Sequence, residues 1–296
     1  MAKWLLLDGF NLTFRAFYAI RDLTRSDGFP TNALHGWWKT ILKLQDTEKP
    51  DHIVAFFDLD GCTHRTELHP EYKANRSETP EELIKQIPLI KELTAAMGVP
   101  VIEQSGQEAD DLIATAAKNL KAQGHEVFMV SADKDLAQCI ESNISQLLPP
   151  PPANPKVGWR HLDTQGVVEK FGINPSQIID YLALIGDSSD NIPGIPGVGP
   201  KTAVKWLLAH ESLEGIIAQA NQIKPERFRE KIQTLSEQLR INVQLIRLQS
   251  NLETGPLESG QAKLSELLRL LEDLEMKTAL KEASTRFGPT QGELAF

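Results

Sequence analysis

Residues 4–8, with the sequence WLLLD, are the stretch that decides the fold. Four apolar residues followed by an acid predict a buried strand that ends at Asp8. The same pattern returns in HIVAFFD at 52–58 and in HEVFMVS at 125–131, and VPVIE at 99–103 is a shorter run. Helical segments lie before and between these runs. Strands that alternate with helices favour an α/β fold with a mainly parallel central sheet flanked by helices.

Nine carboxylates follow these strands or lie in nearby turns. In an open α/β sheet, ligands bind beyond the carboxyl ends of the strands, so acids at successive strand ends converge on one place. Bare carboxylates held that close repel one another, and hard divalent cations with oxygen ligands remove the conflict. The pattern therefore predicts a metal site for more than one ion. The nine acids are Asp8, Asp58, Glu108, Asp110, Asp111, Asp133, Asp135, Asp187 and Asp190.

Two of the acidic clusters also have a simpler interpretation. GQEADD at 106–111 starts a predicted helix, where the helix dipole favours acids as caps. SADKDL at 131–136 follows a strand, and either cluster alone is more typical of a solvated turn than of a metal site. Three acids within four residues exceed what a cap needs. Because both clusters accompany Asp8 and Asp58, the metal interpretation is favoured.

Composition limits the class of protein. With 296 residues, 41% of them hydrophobic, the chain can form one large domain with an appendage. Its 40 acidic and 31 basic residues give a net charge of −9, which on its own argues against nucleic acid. Two or three divalent ions would offset about half of the charge of the proposed site, so net charge does not decide the question. Cys62 and Cys139 make no disulfide framework and fit a reducing cytoplasm, and Asp8 interrupts the N-terminal apolar run, unlike a signal peptide.

The segment at 186–203, GDSSDNIPGIPGVGPKTA, is the most specific motif. Its glycines, including Gly197 and Gly199, permit a tight hairpin with outward-facing backbone N–H groups. Lys201 and Thr202 follow a proline that opens a helix. A Gly-rich hairpin before a helix N-terminus is suited to phosphate, so the motif predicts a grip on a phosphodiester backbone without base reading. The alternative is a Gly/Pro loop between packed helices.

The polar stretch at 64–86 contains Tyr72, Lys73 and Arg76. An aromatic side chain beside cations suits an unstacked base and its phosphate, although a charged, solvated helix is the simpler interpretation. Further along, 147–158 is expected to be an exposed proline-rich spacer after which the strand signals stop. Helices are predicted at 174–186, 201–210 and 264–283.

Taken in order, these blocks resemble the bacterial 5′-nuclease family, which includes the 5′–3′ exonuclease domain of DNA polymerase I and flap endonucleases. The resemblance implies an α/β nuclease core at 1–173 with a helical arch at about 64–96. It also implies a helical region at 174–296 with a helix-hairpin-helix (helix-three-turn-helix) element at about 176–210. The matching blocks are LLLDGFNLTFRAFYA, FFDLDG, HPEYKANR, GQEADD, SADKDL and GDSSDNIPGIPGVGPKTA.

All nine acids coincide with metal ligands of that family, which implies two or three Mg²⁺ ions, or Mn²⁺. Asp8, Asp58, Glu108 and Asp110 would serve chiefly one ion, and the other five acids chiefly the second. By similarity, Lys73 and Arg76 would contact the scissile phosphate, Tyr72 would stack on a base and Arg15 would contact another phosphate. A potassium ion is expected near residues 190–199 of the hairpin.

The implied activity is two-metal hydrolysis of DNA phosphodiesters near 5′ flap junctions, in replication and repair, by a monomer. A PIN-type ribonuclease and a non-catalytic DNA-junction binder are the alternatives. The chain departs from the family at His64, where relatives usually carry an aromatic residue. It ends at Phe296, where polymerase fusions continue, which fits either a separate nuclease or an excised part. The tail QGELAF (Gln291–Phe296) resembles peptides that bind sliding clamps, and a frayed end is the simpler interpretation.

Overall fold

A computed structural model describes residues 1–20, 22–59, 63–151 and 153–288 of the chain. Six strands form one sheet in the order β3-β2-β1-β4-β5-β6. The first five are parallel, and β6 pairs antiparallel with β5. A two-stranded hairpin, β7–β8, stands apart from this sheet. The strands are β1 (Lys3–Asp8), β2 (His52–Phe56), β3 (Val101–Ile102), β4 (Glu126–Val130), β5 (Ile144–Leu148), β6 (Arg160–Leu162), β7 (Gly186–Asp187) and β8 (Ile192–Pro193).

The helices cover both faces of the sheet and form the region after β6. Short 3₁₀ turns occur at Asp135–Cys139, Pro155–Val157 and three later positions. The described helices are α1 (Gly9–Ala19), α2 (Asn32–Glu48), α3 (His64–Leu68), α4 (Glu81–Ala96), α5 (Ala109–Ala122), α6 (Thr164–Phe171), α7 (Ile178–Ile185), α8 (Pro200–His210), α9 (Leu213–Ala218), α10 (Arg229–Thr234), α11 (Ser236–Ile246), α12 (Leu264–Asp273) and α13 (Lys277–Phe287).

The central strand β1 shows why the sheet is buried on both faces. Successive side chains of a strand point to opposite faces. Leu6 belongs to a core cluster that includes Leu112 of α5, whereas Leu5 and Leu7 belong to a second cluster that includes Trp37 of α2. All three leucines of β1 are fully buried. The continuous apolar run of this strand therefore serves two cores, as expected for a parallel sheet.

The register of the parallel strands sets the place of the acids. Asp8 of β1 pairs with Phe56 of β2, and Leu7 pairs with Val130 of β4. Because these strands run in the same direction, their carboxyl ends lie at one edge of the sheet. This edge carries Asp8 directly and the segments that follow β2 and β4. The predicted α/β class with a mainly parallel, mixed sheet is confirmed.

Two expectations about the second half of the chain were wrong. The segment at 147–158 begins inside β5, where Leu147 and Leu148 are buried, and the strand signals do not stop there because β6 follows. The expected helix at 264–283 is two helices, α12 and α13, separated where Met276 turns back to bond its N–H to the carbonyl of Leu271. Both departures depend on tertiary contacts that a local pattern does not contain.

In the described parts of the chain, no helix is long and apolar enough to cross a membrane. The tail at 291–296, Cys62 and Pro152 lie outside the described residues. The clamp hypothesis therefore stays a prediction.

Candidate metal centre and nucleic-acid interface

Asp8 occupies the edge of the sheet at the junction of β1 and α1. One of its oxygens caps α1 by accepting from the N–H of Asn11 at 3.0 Å, and the other accepts from the hydroxyl of Ser131 at 2.7 Å. Burial, more than any neighbouring charge, raises the pKa of Asp8 from 3.8 to about 7. Ionising a carboxylate that is this deeply buried costs free energy unless a cation compensates its charge.

The acids after β2 and at the start of α5 face Asp8. Asp58 accepts from the backbone N–H of Ala109 at 2.7 Å, which ties the end of β2 to the first turn of α5. Glu108 is the N-cap residue of α5 and is buried. Burial, and then the charges of Asp133, Asp8 and Asp58, raise the pKa of Asp110 well above its usual value. Asp110 therefore lies close enough to these three acids for their charges to interact, as the strand-end pattern predicts.

A second acidic group lies beside the first. Asp135, Asp187 and Asp190 each offer an oxygen within 4.8 Å of the others. One carboxylate oxygen of Asp135, Oδ1, is buried without a hydrogen-bond partner among the described residues. Burial, followed by the charge of Asp133, raises the pKa of Asp135 to about 8. Clustered oxygens with an unsatisfied lone pair fit a hard divalent cation.

Asp133 connects the two acidic groups. Its carboxylate accepts from the N–H of Asp135 at 2.9 Å, and its own N–H donates to the hydroxyl of Ser131 at 3.0 Å. Its charge contributes to the raised pKa values of Asp8 in the first group and Asp135 in the second. The structure thus brings eight of the nine predicted acids into one region, arranged as two groups that share Asp133.

Residues of the helical arch between α3 and α4 lie on these acids. Lys73 donates from Nζ to Glu108 at 2.9 Å, and Arg76 donates from Nη2 to Asp190 at 2.6 Å. Burial alone would lower the pKa of Lys73, but Glu108 and Asp190 outweigh it and the pKa is raised. Both side chains therefore stay cationic, and they link the first acidic group to the second.

The position of Tyr72 disagrees with the expectation that its ring stacks on a base. Tyr72 is only 6% exposed, and its hydroxyl lies 3.3 Å from one oxygen of Glu108 and one of Asp190. The Nζ of Lys73 lies over its ring, 4.9 Å from the centroid. A base needs an open ring face, and this ring is packed against the acids instead.

Asp111 is the predicted acid that the structure separates from the others. It is 1% exposed, and both of its oxygens accept from the guanidinium of Arg65, at 2.6 and 2.8 Å. One of them also accepts from the N–H of Gln249 at 2.7 Å. Three protein donors thus occupy the oxygens of Asp111, which the family resemblance assigns to the second ion.

Sequence reasoning overlooked two residues of the site. Lys134 donates to Asp187 at 2.6 Å and lies 3.8 Å from Asp135, so a cation already neighbours the second acidic group. Ser131, the first residue after β4, holds Asp8 and Asp133 through its hydroxyl. Both residues lie in the quoted SADKDL block, and their position between acids was the signal that could have identified them.

The glycine-rich segment joins the second acidic group to the start of α8. Asp187 lies in β7 and Asp190 in the turn before β8, so the paired hairpin lies upstream of the glycines at 197 and 199. Gly197 has a φ of +87°, a conformation that L side chains rarely adopt. Gly199 is the N-cap of α8 and has no side chain to occupy the amides of the first turn.

The first turns of α8 also present cations. Lys201 and Lys205 are exposed, and Thr202 is half-buried with its N–H donating to the carbonyl of Gly199 at 3.0 Å. A helix N-terminus with free space at its cap and exposed lysines is suited to an anion. Arg15 lies elsewhere, on α1, where its guanidinium donates to the carbonyl of Pro150.

These features define an α/β protein with an acid-lined sheet edge, a helical arch and a helix-hairpin-helix region. The family model for the 5′-3′ exonuclease N-terminal resolvase-like domain matches residues 3–172, and the model for the 5′-3′ exonuclease C-terminal SAM fold matches residues 173–267. The chain belongs to the 5′-3′ exonuclease family.

Curated relatives extend along most of the chain. A 5′-3′ exonuclease of Aquifex aeolicus (strain VF5) is 37% identical over 95% of this chain and 95% of its own length. A thermostable DNA polymerase I of Thermus caldophilus is 38% identical over 94% of this chain but only 33% of its own length. The chain thus spans about a third of that polymerase.

Solved structures share the fold. A T5 5′-exonuclease structure described with bound divalent zinc superposes with a TM-score of 0.71 at 20% identity, covering 97% of this chain and 100% of that one. The catalytic core of Rad2 in complex with a DNA substrate gives a TM-score of 0.60 at 15% identity, covering 97% and 92%. At these identities the likeness concerns the fold alone.

Proposed function

We propose that this chain is a structure-specific 5′–3′ exonuclease and flap endonuclease that hydrolyses DNA phosphodiesters with divalent metal ions. The observation that carries the proposal is that one stretch of chain contributes to the second acidic group and also leads to the start of α8, because Asp187 and Asp190 lie at the beginning of the glycine-rich segment. The Aquifex aeolicus relative, which matches over almost its whole length, bears the name 5′-3′ exonuclease.

The two acidic groups would hold two ions. Asp8, Asp58, Glu108 and Asp110 form the first set of ligands, and Asp133 lies between the sets. Asp135, Asp187 and Asp190 form the second, supported by their mutual distances and by the unsatisfied oxygen of Asp135. Oxygen donors of this kind suit Mg²⁺, with Mn²⁺ as a substitute. When bound, such ions activate water and neutralise charge at the leaving oxygen.

The chain's own cations would act on the DNA. Lys73 and Arg76 pair with Glu108 and Asp190. Where Glu108 and Asp190 hold ions, both side chains would be free to leave these acids for the phosphate. Lys73 and Arg76 would then bind the scissile phosphate and stabilise the negative charge that develops on it. Tyr72 would hold the arch against Glu108 and Asp190 rather than stack on a base.

The duplex would lie along the hairpin and α8. The amides at Gly197 and Gly199 and the side chains of Lys201 and Thr202 would bind the phosphate backbone without reading bases. A potassium ion near 190–199 would add positive charge to the same surface. Arg15 of α1 would contact a further phosphate. All of the proposed ligands lie in one chain, which supports action as a monomer.

Product mapping on a 5′-labelled flap duplex tests this function. With Mg²⁺ we expect cleavage near the junction of flap and duplex, and none with EDTA. RNA flaps provide the comparison, because preferential cleavage of RNA without dependence on the junction would favour a PIN-type ribonuclease. Binding to the junction with no cleavage at any ion concentration would identify a non-catalytic junction binder and refute the proposal.

A further inference from the structure

Arg65 and Asp111 form a buried ion pair next to the acidic groups. Each residue is 1% exposed, and the guanidinium contacts both carboxylate oxygens in a fork-to-fork arrangement. A charge-assisted, bidentate pair of this kind is rigid as well as strong.

The pair also connects three separate parts of the chain. Arg65 lies in α3, at the base of the arch, and Asp111 lies in the first turn of α5. The Nε of Arg65 donates to the carbonyl of Leu245 at 2.7 Å and its Nη2 donates to that of Arg247 at 3.0 Å. The N–H of Gln249 completes the set by donating to Asp111. The end of α11 is thus fixed to the nuclease core.

Arg65 also reaches the first acidic group. Its Nη1 lies 3.2 Å from Oε2 of Glu108, the same oxygen that Lys73 contacts at 2.9 Å. Glu108 and Asp111 are separated by one helical turn, so the guanidinium spans from one to the other along the surface of α5. The position of the Glu108 carboxylate therefore depends on a residue that is itself held by Asp111.

Helix geometry explains why Asp110 and Asp111 differ. Consecutive residues of an α-helix point about 100° apart, so two adjacent acids cannot face the same site in the same way. Asp110 interacts with the charges of Asp133, Asp8 and Asp58, so it belongs to the acidic groups. Asp111 is directed at Arg65 instead.

We infer that Asp111 is not a metal ligand but the anchor of Arg65, a positioning residue that holds Glu108 in place and ties the base of the arch to the end of α11. This inference rests on the proposed function, since Glu108 matters only if the first acidic group binds an ion. Of the nine acids in the family pattern, eight would then bind the ions, and Asp111 would stabilise the scaffold.

The adjacent acids provide a matched pair of variants for the test. Asp110→Asn and Asp111→Asn make the same change one residue apart, and Mn²⁺ binding is counted by electron paramagnetic resonance in each. We expect Asp111→Asn to bind as many ions as the parent and to lose about 5–10 °C of Tm in EDTA, because it breaks a buried pair. Asp110→Asn should lose Mn²⁺ affinity at least about tenfold, with no loss of Tm in EDTA.

Arg65→Lys separates positioning from a purely structural role. Lysine keeps the charge but cannot contact both oxygens of Asp111. In an Asp187→Asn background, which weakens the second acidic group, Mn²⁺ titration reports mainly on the first group. We expect Arg65→Lys to lower that affinity about 10- to 100-fold, the usual effect of losing support behind a ligand. A role in scaffold stability alone would lower the Tm and leave this affinity at the value of the Asp187→Asn parent.

Three outcomes would overturn the inference: an Asp111→Asn variant that loses an ion, one that keeps the parent's Tm in EDTA, or an Arg65→Lys variant with unchanged Mn²⁺ affinity. Failure of the proposed function has a different signature, because a parent protein that binds no Mn²⁺ would refute the metal site as a whole. In that case the Tm of Asp111→Asn in EDTA would still decide whether the ion pair stabilises the fold. The inference that Arg65 positions Glu108 as a metal ligand would be refuted.

Discussion

At the scale of single residues, the carboxylates at the sheet edge are unfavourable in their ionised form. Asp8, Asp110 and Asp135 all have raised pKa values, and burial is the largest cause for each. Hydrogen bonds from Ser131 and Asn11 offset only part of this cost at Asp8. Residues that lower stability without a cation are typical of binding sites rather than of structural networks.

The first residue-scale prediction concerns Asp135. Asp135→Asn keeps the shape of the side chain but removes one charge from the second acidic group. We expect cleavage of a flap duplex to fall by about a thousandfold with the Tm in EDTA unchanged or higher, because one source of repulsion is gone. Steady-state kinetics and calorimetry measure the two effects. Asp273→Asn, the same change at an exposed position of α12, is the control, and parental activity in Asp135→Asn would remove this residue from the site.

The second residue-scale prediction is a pH dependence of the metal-free protein. The pKa of Asp8 is raised from 3.8 to about 7 and that of Asp135 from 3.8 to about 8, so the folded state retains protons that the unfolded chain releases. Stabilisation by the protonated carboxyls is complete below about pH 4 and is lost as the pH rises to about 8. In EDTA we expect these groups to lower the Tm between about pH 5.5 and about pH 8.

Divalent ions and a variant check the cause of this pH dependence. Mg²⁺ should raise the Tm more at about pH 8 than at about pH 5.5, because ionised carboxylates bind it. Asp110→Asn, which removes one of the acids with a raised pKa, should show a smaller fall of Tm in EDTA. A parent Tm in EDTA that is independent of pH, or rises with it, would contradict the raised pKa values.

At the scale of elements, the hairpin and α8 depend on glycines for two different reasons. A Cβ on Gly194 would lie 2.2 Å from the carbonyl carbon of Ile185, and one on Gly186 would lie 2.4 Å from the N of Gly194. At these two positions, two backbone segments pass too close for any side chain. Gly199 differs, because a Cβ there meets nothing within 4 Å. Its small size leaves open space at the start of α8 instead.

This difference predicts opposite results for two alanine variants. Gly194→Ala should lower the Tm by about 5 °C or more, since backbone atoms would have to move. Gly199→Ala should change the Tm by less than about 2 °C but weaken DNA binding, because the methyl group would stand where a phosphate approaches the amides. Calorimetry and fluorescence anisotropy with a duplex measure both. Parental DNA affinity in Gly199→Ala would remove this helix start from the DNA interface.

At the scale of the whole molecule, the nuclease core and the helical region share their hydrophobic cores. One core cluster runs from Trp4 to Leu257 and contains side chains of both β1 and α7. The other runs from Leu5 to Ala283 and contains side chains of α12 and α13. Packing therefore crosses the boundary drawn near residue 173, and the two regions stabilise each other.

We predict that residues 1–173 do not fold as an independent unit. Removing the helical region would expose the apolar residues of both clusters and leave Arg65 without its carbonyl acceptors at Leu245 and Arg247. The fragment should lack a cooperative thermal transition, whereas the full chain measured in parallel should show one. A fragment that unfolds cooperatively within a few degrees of the full chain would show that the boundary separates autonomous domains.

The sequence by itself determined the α/β class, the strands β1 to β4 and the convergence of most of the acids. An apolar run that ends in an acid is a local pattern, and parallel strands place such acids at one edge without further information. The glycine-rich block was also predictable from the sequence, because glycine readily adopts positive φ and lets two backbone segments approach closely. Strand β5 was not predicted, and β6, only three residues long, lacked enough pattern to be predicted.

Only the tertiary structure decided the roles of side chains whose partners are far away in the sequence. Asp110 and Asp111 are equivalent in a list of acids, but the phase of α5 and the carbonyls at 245 and 247 direct Arg65 to Asp111. Tyr72 is an aromatic residue next to cations, as in a base-stacking site, yet packing of the arch turns its hydroxyl towards Glu108. A residue type states which interactions a side chain can make, and the fold selects one of them through contacts between residues that lie 36 to 182 positions apart in the chain.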